Sequence, residues 1–326
     1  MRLAVAVDGG NSKTDAALVR EDGAVLGLAR GAGSSPHHLG VEAAADVIGA
    51  LIEELAPPER PAEALLLLAG VDFRDEEQAI EKLARQRAWA LRTRVRNDTL
   101  AILRAGTDAG WGVAVVCGAG INCLGVAPDG REARFPALGP ITGDWGGGGD
   151  IGPEALYAAA RSEDGRGPRT ILESRVPAHF GLETPMELAH AIHRGQVSER
   201  RLIELAPLVF ELAADDAVSA AIVDRLVSEI VSLVRVATAR LRLEKSVFDV
   251  VLGGGLLQHA ERRVVAAIAQ GVHRTAPGAV VRPTAAHAIV GSALLVLDEL
   301  GAADAAKTTV RRELEREALT IGGRDG

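Results

Sequence analysis

The stretch VAVDGGNSKT, residues 5–14, decides the fold because a second version of it follows about a hundred residues later, as VAVVCGAGIN at 113–122. Each copy continues through an apolar run to an Asp-Gly turn, at 22–23 and at 129–130. This pattern predicts three consecutive strands joined by tight turns in each half. Glycines between two strands leave backbone N–H groups open to an anion. The repeat therefore predicts a cleft that binds a polyphosphate, and with it a nucleotide-using enzyme.

Length and composition exclude several classes of protein for this chain. The chain has 326 residues, enough for two domains, and aromatic residues make up only 3%, so its cores must be aliphatic. A net charge of -8 without a Lys/Arg-rich run argues against a nucleic-acid partner. Two cysteines, Cys117 and Cys123, are too few for a disulfide framework or a zinc site. With no signal segment and no apolar run of about 18 residues, we expect a cytoplasmic protein without a membrane partner.

The order of strand and helix patterns predicts an α/β fold of two domains, each with a mixed sheet flanked by helices. We expect an N-terminal domain at 1–111 and a C-terminal domain at 112–285, which becomes helical from about 153. A helix at 286–300 can return to the N-terminal domain, and 301–326 is a charged tail with a disordered end at 322–326. The long apolar helix at 217–243 suits a homodimer interface as well as a core.

The first glycine turn carries groups that suit phosphate and metal binding. Asp8 ends the first strand, where a carboxylate can hold the hydration shell of Mg²⁺. The alternative is that Asp8 only closes the turn. Next to Gly10, the side chains of Ser12 and Lys13 can donate to phosphate oxygens, although the GxxxxGK[ST] motif is absent.

Asp98 is the best candidate for a general base. It follows a predicted strand at 93–96 and precedes a predicted helix at 99–105. The alternative is that Asp98 or Asn97 is merely the N-cap of that helix, a common use of these residues.

The stretch at 139–152 has glycine at seven of its fourteen positions. Such a stretch before a helix that starts near Pro153 suits an anion or ligand loop better than a linker. Within it, Asp144 can accept hydrogen bonds from sugar hydroxyls.

The glycines at 253–255 follow an apolar strand, where an adenosine could pack, although such turns are often structural. His37 and His38 belong either to a cleft or to a solvated loop.

Five motifs in this order and spacing resemble those of the N-acetylglucosamine kinase branch of the BadF/BadG/BcrA/BcrD ATPase family. The motifs are DGGNSKT (8–14), NDTLA (97–101), CGAGINC (117–123), GDWGGGGDIG (143–152) and VLGGGLL (251–257). That family belongs to the sugar kinase/actin/Hsp70 superfamily, in which two duplicated actin-like (ribonuclease H-like) domains close over ATP. The resemblance covers the chain to about residue 300.

The resemblance implies a role for each matching residue. Asp98 would take the proton from the attacking sugar hydroxyl, and Asp8 would serve Mg²⁺. Residues expected to contact ATP are Gly10, Ser12, Lys13, Gly118, Ala119, Gly120, Gly254 and Gly255. Residues expected to contact the sugar are Asp98, Asp144, Ser35, His37, Asn122, Gly139 and Gly143. The implied activity is phosphorylation of a hexosamine, first N-acetylglucosamine to its 6-phosphate.

Three positions depart from the family pattern. Ser35 stands where the family often has Asn, Ala119 where it has Thr, and Trp145 where it has an acidic residue. We expect ATP binding to survive these changes, while Ser35 and Trp145 leave glucosamine or another amino sugar open as the substrate. Two functions of other classes also remain open, a non-catalytic sugar sensor and an ATPase activator with an iron–sulfur cluster.

Overall fold

The first hairpin lies in a five-stranded mixed sheet. The computed structural model describes residues 1–258 and 260–322. The strands of this sheet are β1 (Leu3–Gly9), β2 (Lys13–Arg20), β3 (Val25–Ala32), β4 (Glu63–Leu68) and β5 (Arg92–Asn97). Their order is β3-β2-β1-β4-β5, with β1 antiparallel to β2 and parallel to β4. The strands β1 and β4 are apolar on both faces because helices cover both sides of the sheet.

The second copy of the hairpin forms a sheet with the same order. Its strands are β6 (Gly112–Cys117), β7 (Ile121–Val126), β8 (Glu132–Arg134), β9 (Phe248–Gly253) and β10 (Ala279–Pro283). They are ordered β10-β9-β6-β7-β8, so each half places its third, second, first, fourth and fifth strands side by side. The two duplicated α/β halves predicted from the repeated hairpin are therefore confirmed.

Helices connect and flank the strands. The α-helices of the first half are α1 (Pro36–Leu39), α2 (Val41–Glu54), α3 (Arg74–Gln86) and α4 (Thr99–Gly106). Those of the second half are α5 (Gly148–Glu163), α6 (Leu172–His179), α7 (Pro185–His193), α8 (Ala206–Leu212), α9 (Ala217–Leu241), α10 (Gly255–Gln258) and α11 (Arg262–His273). The chain ends with α12 (Ala288–Glu299) and α13 (Asp304–Gly322). Among the helices of the described ranges, none is long and apolar enough to cross a membrane.

The chain forms two compact units. One contains residues 1–114, 126–136 and the chain from Thr284 onward, and the other contains 115–125 and 137–283. The helix α12 packs in the first unit so closely that a Cβ on Gly291 would lie 1.8 Å from the carbonyl oxygen of Ala101 in α4. The charged segment α13 also packs there, with Val310 and Leu314 fully buried.

Some predicted helix bounds are wrong. The helix α5 begins at Gly148 and not near 153. A 3-10 helix at Glu199–Leu205 leads directly into α8. The disordered end predicted at 322–326 lies outside the described residues, except for Gly322, which ends α13. Gly148 and Gly152 near the start of α5 pack against Ile203 and Leu202, a contact between distant residues that a local pattern does not reveal.

Candidate active site

A row of charged residues crosses the first sheet beside the glycine turn. Asp8 of β1 lies opposite Asp15 of β2, which lies opposite Arg30 of β3. Arg30 Nε is 2.6 Å from Asp15 Oδ1, and Lys13 Nζ is 3.8 Å from Asp15 Oδ2. The buried carboxylate of Asp15 is thus paired with two cationic side chains. The residues Asp15 and Arg30 were not singled out from the sequence, although the hairpin register itself places them next to Asp8.

The pKa of Asp8 is raised to about 8. Burial is the largest cause, followed by the charges of Asp98 and Asp15, while Lys13 acts in the opposite direction. A buried carboxyl group with two like charges nearby is stabilised in its ionised form by a cation. No cluster of three or more acidic, His or Cys side chains that could hold a metal directly occurs within residues 1–258 and 260–322. This arrangement fits Mg²⁺, which keeps several waters and needs few protein ligands.

The segment that follows β3 holds the first glycine turn in place. The Gly10 N–H donates to the Lys13 carbonyl at 2.8 Å, and the Ser34 N–H donates to the Gly10 carbonyl at 3.1 Å. Gly33 is needed here because a Cβ would lie 2.3 Å from the Asn11 carbonyl oxygen. Ser12 at the tip of the turn is exposed. The tip is therefore held rigidly while its polar groups face solvent.

The side chain that caps the N-terminus of α4 is that of Asn97 and not that of Asp98. Asn97 ends β5, and its Oδ1 accepts the Thr99 N–H at 3.0 Å. The Nδ2 of Asn97 donates to the Val71 carbonyl at 3.2 Å and to Asp72 Oδ1 at 3.0 Å. Asp98 makes no side-chain capping hydrogen bond of its own. The capping alternative raised from the sequence thus applies to Asn97, and Asp98 remains available.

The pKa of Asp98 is raised to about 6. Burial is the largest cause and the charge of Asp72 adds to it, while the nearby Thr99 N–H and the N–H of Asp98 itself lower the pKa. A carboxyl group with a pKa close to neutral is both ionised at pH 7 and able to accept a proton. Asp72, which the sequence did not single out, thus tunes Asp98 and also orients Asn97.

A buried hydroxyl without a partner lies in the same unit. Ser35 is 1% exposed, and its Oγ makes no hydrogen bond. A Cβ on Gly70 would lie 2.7 Å from this oxygen and 2.8 Å from the Cβ of His37, so the three residues meet at one point. The side chain of His37 is exposed. An unsatisfied buried hydroxyl is costly in a folded protein unless a ligand or water completes it.

In the second unit, the two glycine-rich loops are joined through their backbones. The Gly148 N–H donates to the Gly118 carbonyl and the Gly149 N–H donates to the Ala119 carbonyl, each at 2.8 Å. The helix start predicted near Pro153 is wrong, because α5 begins at Gly148, and two N–H groups of its first turn are already bonded to the other loop. A Cβ on Gly118 would meet nothing within 4 Å, so this loop has open space beside it.

Several glycines of the 139–152 stretch have packing roles. A Cβ on Gly152 would lie 1.9 Å from the Leu202 carbonyl oxygen, and one on Gly148 would lie 2.3 Å from a side-chain carbon of Ile203. These glycines let α5 approach the 3-10 helix at 199–205. Gly139 and Gly143 have no such packing role. Both have a positive φ, 62° and 80°, and both have open space where a side chain would stand.

Asp144 is oriented by a compact turn. The Gly139 carbonyl accepts the Thr142 N–H at 3.1 Å and the Asp144 N–H at 3.0 Å. The Thr142 hydroxyl donates to Asp144 Oδ2, and Thr142 Oγ1 accepts the Leu138 N–H at 3.0 Å. The half-buried carboxylate therefore has one oxygen engaged and a fixed direction, as a ligand for hydroxyl groups requires.

The remaining candidates lie along β6, β7 and β9. The Oδ1 of Asn122 accepts the Cys123 N–H at 2.7 Å. Gly254 has φ 84°, and a Cβ there would lie 2.3 Å from the Cys117 carbonyl oxygen, so it also has a structural reason to be glycine. Gly255 has open space around it.

Both cysteines are buried and free, as expected for small core residues. Burial raises the pKa of the Cys117 thiol to about 12 and that of Cys123 further still. Neither free thiol ionises near neutral pH, so neither is a reactive nucleophile.

Comparison with known proteins gives relatives along nearly the whole chain. The N-acetylmuramic acid/N-acetylglucosamine kinase of Clostridium acetobutylicum is 28% identical over 265 residues, 79% of this chain and 87% of the relative. The N-acetyl-D-glucosamine kinase of Dictyostelium discoideum is 26% identical over 314 residues, 90% of this chain and 97% of the relative.

A solved structure shares the fold. It is a provisionally named N-acetylglucosamine kinase from Chromobacterium violaceum, with a TM-score of 0.66 and 23% identity over 91% of this chain and 99% of that one. The sequence profile of the BadF/BadG/BcrA/BcrD ATPase family matches residues 5–296. The resemblance drawn from the five motifs is thus confirmed, and the chain belongs to the BadF/BadG/BcrA/BcrD ATPase family.

Proposed function

We propose that this protein is an ATP-dependent hexosamine kinase that transfers the γ-phosphate of ATP to a sugar hydroxyl. The first candidate for the reaction is conversion of N-acetylglucosamine to its 6-phosphate, as the names of the two relatives suggest. The observation that carries the proposal is the state of Asp98. Its carboxyl group has a pKa of about 6, and it is not used to cap α4, because Asn97 accepts the Thr99 N–H instead. Such a group suits a general base that acts on an alcohol at neutral pH.

In this proposal, Asp98 accepts the proton of the attacking hydroxyl, and the hydroxyl oxygen bonds to the γ-phosphorus as the bond to ADP breaks. Phosphoryl transfer depends mainly on positioning and charge neutralisation, so a single base suffices. Asp144 binds hydroxyls of the sugar through its oriented carboxylate. The unpartnered Oγ of Ser35, with His37 beside it, supplies a further hydrogen bond to the sugar. Asn122, Gly139 and Gly143 complete the proposed sugar contacts.

The ATP phosphates are assigned to the two glycine-rich turns. Gly10, Ser12 and Lys13 supply donors from the first, and Gly118, Ala119 and Gly120 from the second. Gly254 and Gly255 lie beside the adenosine in this proposal. Mg²⁺, held through the carboxylate of Asp8, would neutralise charge on the phosphates. The need for ATP and the unpaired cysteines favour the cytoplasm as the place of action.

The role of ATPase activator with an iron–sulfur cluster is less well supported. Such a cluster is held by Cys thiolates at a site shared between subunits, and both Cys117 and Cys123 are buried inside the fold. The oriented base and Asp144 also have no use in that role.

A substrate panel tests the proposed reaction. ATP consumption with Mg²⁺ is measured with N-acetylglucosamine, glucosamine, N-acetylmannosamine, glucose and no sugar. We expect turnover with N-acetylglucosamine to exceed the blank by at least tenfold, because water is a poor acceptor when no sugar orients the site. Strong turnover with another sugar of the panel would name that sugar as the substrate instead. Equal slow hydrolysis in every sample would contradict the kinase proposal for these sugars.

The pH dependence of kcat/KM is a second test of Asp98 as the general base. Since Asp98 must be ionised to accept a proton, kcat/KM should fall about tenfold per pH unit below a pKa near 6. The variant Asp72→Asn removes the charge that raises the pKa of Asp98, so the acid limb should move to lower pH. Profiles of both proteins are recorded with saturating ATP. An acid limb that does not move in the variant would contradict the electrostatic coupling of these two residues.

A further inference from the structure

Arg134, the last residue of β8, makes two contacts with the chain around the start of α3. Its Nη1 lies 2.7 Å from Glu77 Oε1, and the side chains of Arg134 and Glu77 are only 25% and 11% exposed. Its Nη2 donates to the Val71 carbonyl at 3.5 Å, the longer of the two contacts. All three residues belong to the first compact unit. Arg134 therefore ties the end of β8 both to α3 and to the connection that precedes it.

The Val71 carbonyl is shared with the turn that carries the candidate base. Asn97 Nδ2 donates to this carbonyl at 3.2 Å and to Asp72 Oδ1 at 3.0 Å. A carbonyl oxygen has two lone pairs and can accept from both donors. Arg134 and Asn97 therefore meet at one fully buried residue, and Asp98 follows Asn97 directly in the chain.

The backbone of Asp72 is held from its other side by Glu76. The carboxylate of Glu76 accepts the Asp72 N–H at 2.8 Å and the Phe73 N–H at 2.9 Å. Glu76 and Arg134 thus fix the peptide groups on the two sides of the Val71–Asp72 step. Because the charge of Asp72 acts on Asp98, the place of this connection matters to the base.

The alternative is that Arg134 only attaches β8 to its surroundings. The strand is also held by a second ion pair, which joins Glu132 to Arg96 of β5. Arg134 differs from a simple attachment because its guanidinium reaches two acceptors at once, a carboxylate and a carbonyl. Such a planar, forked group fixes both acceptors relative to each other, which a point charge does not. The two contacts therefore favour a positioning role.

We propose that Arg134 is a positioning residue for the general base, because it holds the Val71 carbonyl and, through it, the Asn97 side chain that shapes the Asp98 turn. This inference rests on the proposed function, since it requires Asp98 to act as the base. Arg134 binds neither the sugar nor ATP in this arrangement. Its loss should therefore lower kcat and leave the KM for ATP nearly unchanged.

The experiment compares Arg134→Gln and Arg134→Lys with Glu132→Gln, using the sugar of the panel that the wild-type protein phosphorylates best. Glu132→Gln is the matched control, because it breaks the other ion pair of the same strand. We expect Arg134→Gln to lower kcat by about 10- to 100-fold, the effect of a misplaced catalytic group. The KM for ATP should stay within threefold of the wild-type value, and Glu132→Gln should change kcat less than threefold.

The lysine variant separates stability from positioning. Lysine can keep the ion pair with Glu77, but its single ammonium group does not reproduce the fork that also reaches the Val71 carbonyl. Arg134→Lys should therefore recover the melting temperature more fully than it recovers kcat. A kcat of Arg134→Gln within threefold of the wild-type value would overturn the inference.

The same substitutions made together with Asp98→Asn distinguish positioning from a general defect of the fold. A residue that acts through the base has no further effect once the base is removed. The double variant Asp98→Asn/Arg134→Gln should therefore match Asp98→Asn in kcat within threefold. Losses that multiply in the double variant would show a merely structural role and overturn the inference. If Arg134→Gln does not fold, the same comparison is made with Arg134→Lys.

Amide hydrogen exchange separates this inference from the proposed kinase activity. The Thr99 N–H reports on the turn, because it is bonded to Asn97 Oδ1. We expect this amide to exchange at least tenfold faster in Arg134→Gln than in the wild-type protein, and at the wild-type rate in Glu132→Gln. If the wild-type protein phosphorylates no sugar but the exchange rates behave in this way, the kinase proposal fails and the positioning of the turn by Arg134 stands. An unchanged exchange rate in Arg134→Gln would overturn the inference whatever the activity.

Discussion

Replacing Asp98 with asparagine should lower kcat by about 100- to 10,000-fold, the usual contribution of a general base. The amide has almost the same shape as the carboxyl group but cannot accept the proton of the sugar hydroxyl. Binding of the sugar and of ATP should change little, because the hydrogen bonds of Asn97 that shape this turn are untouched. The loss should therefore appear in kcat, with KM for the sugar within a few-fold of the wild-type value.

The same substitution should make the protein more stable at neutral pH. The pKa of Asp98 rises from 3.8 to about 6 on folding. The folded state then binds more protons than the unfolded state between these two values, so stability falls as the pH rises through this window and stays lower above it. Asparagine does not ionise and avoids that cost. We expect Asp98→Asn to unfold at a higher temperature than the wild type at pH 7.5, with the difference shrinking toward pH 4.

Asp75→Asn is the matched control for both measurements, because Asp75 is an exposed carboxylate in the first turn of α3. It should leave kcat unchanged and lower the melting temperature only slightly, because one exposed carboxylate in a first helical turn contributes about 0.3–1 kcal/mol. Near wild-type turnover in Asp98→Asn would remove Asp98 from the role of base. A large fall in its melting temperature at pH 7.5 would show instead that the carboxylate stabilises the fold.

The fold could be predicted largely from the repeated hairpin. A strand, a glycine turn and a second strand are local features, and their second occurrence at 113–122 indicates duplication without any knowledge of long-range contacts. The helix bounds near Gly148 could not be predicted in this way. There the chain is glycine-rich because α5 approaches the carbonyl of Leu202, some fifty residues away in sequence, and no local pattern encodes that approach.

The candidate site was predicted in part. Asp8, Asp98 and Asp144 stood out because they are acidic residues at strand ends or in a glycine-rich loop, where a carboxylate can meet a ligand. Asp72 did not stand out, because it lies in an ordinary strand-to-helix connection. Its part in the site arises from a spatial neighbour, Asn97, that is distant in sequence.

Gly147→Ala should weaken ATP binding at least tenfold, because Gly147 lies where the two glycine loops of the second unit meet. A Cβ there would lie 2.6 Å from the carbonyl carbon and oxygen of Gly120, well inside van der Waals contact with backbone that cannot rotate away. The Gly118–Gly120 turn would have to move, and the Gly148 N–H bond to Gly118 would be lost with it. Alanine at φ 80° adds a conformational cost of about 1–2 kcal/mol.

The control Gly165→Ala separates the clash from the conformational cost. Gly165 lies in the same unit with the same φ of 80°, but a Cβ there would meet nothing within 4 Å. Both variants should lose stability through the backbone, whereas only Gly147→Ala should raise the KM for ATP. Circular dichroism and melting temperatures identify the folded protein, on which ATP binding is titrated directly. If the folded Gly147→Ala protein binds ATP as tightly as Gly165→Ala, the Gly118–Gly120 turn does not hold the phosphates, because a displaced turn could not keep the same donors in place.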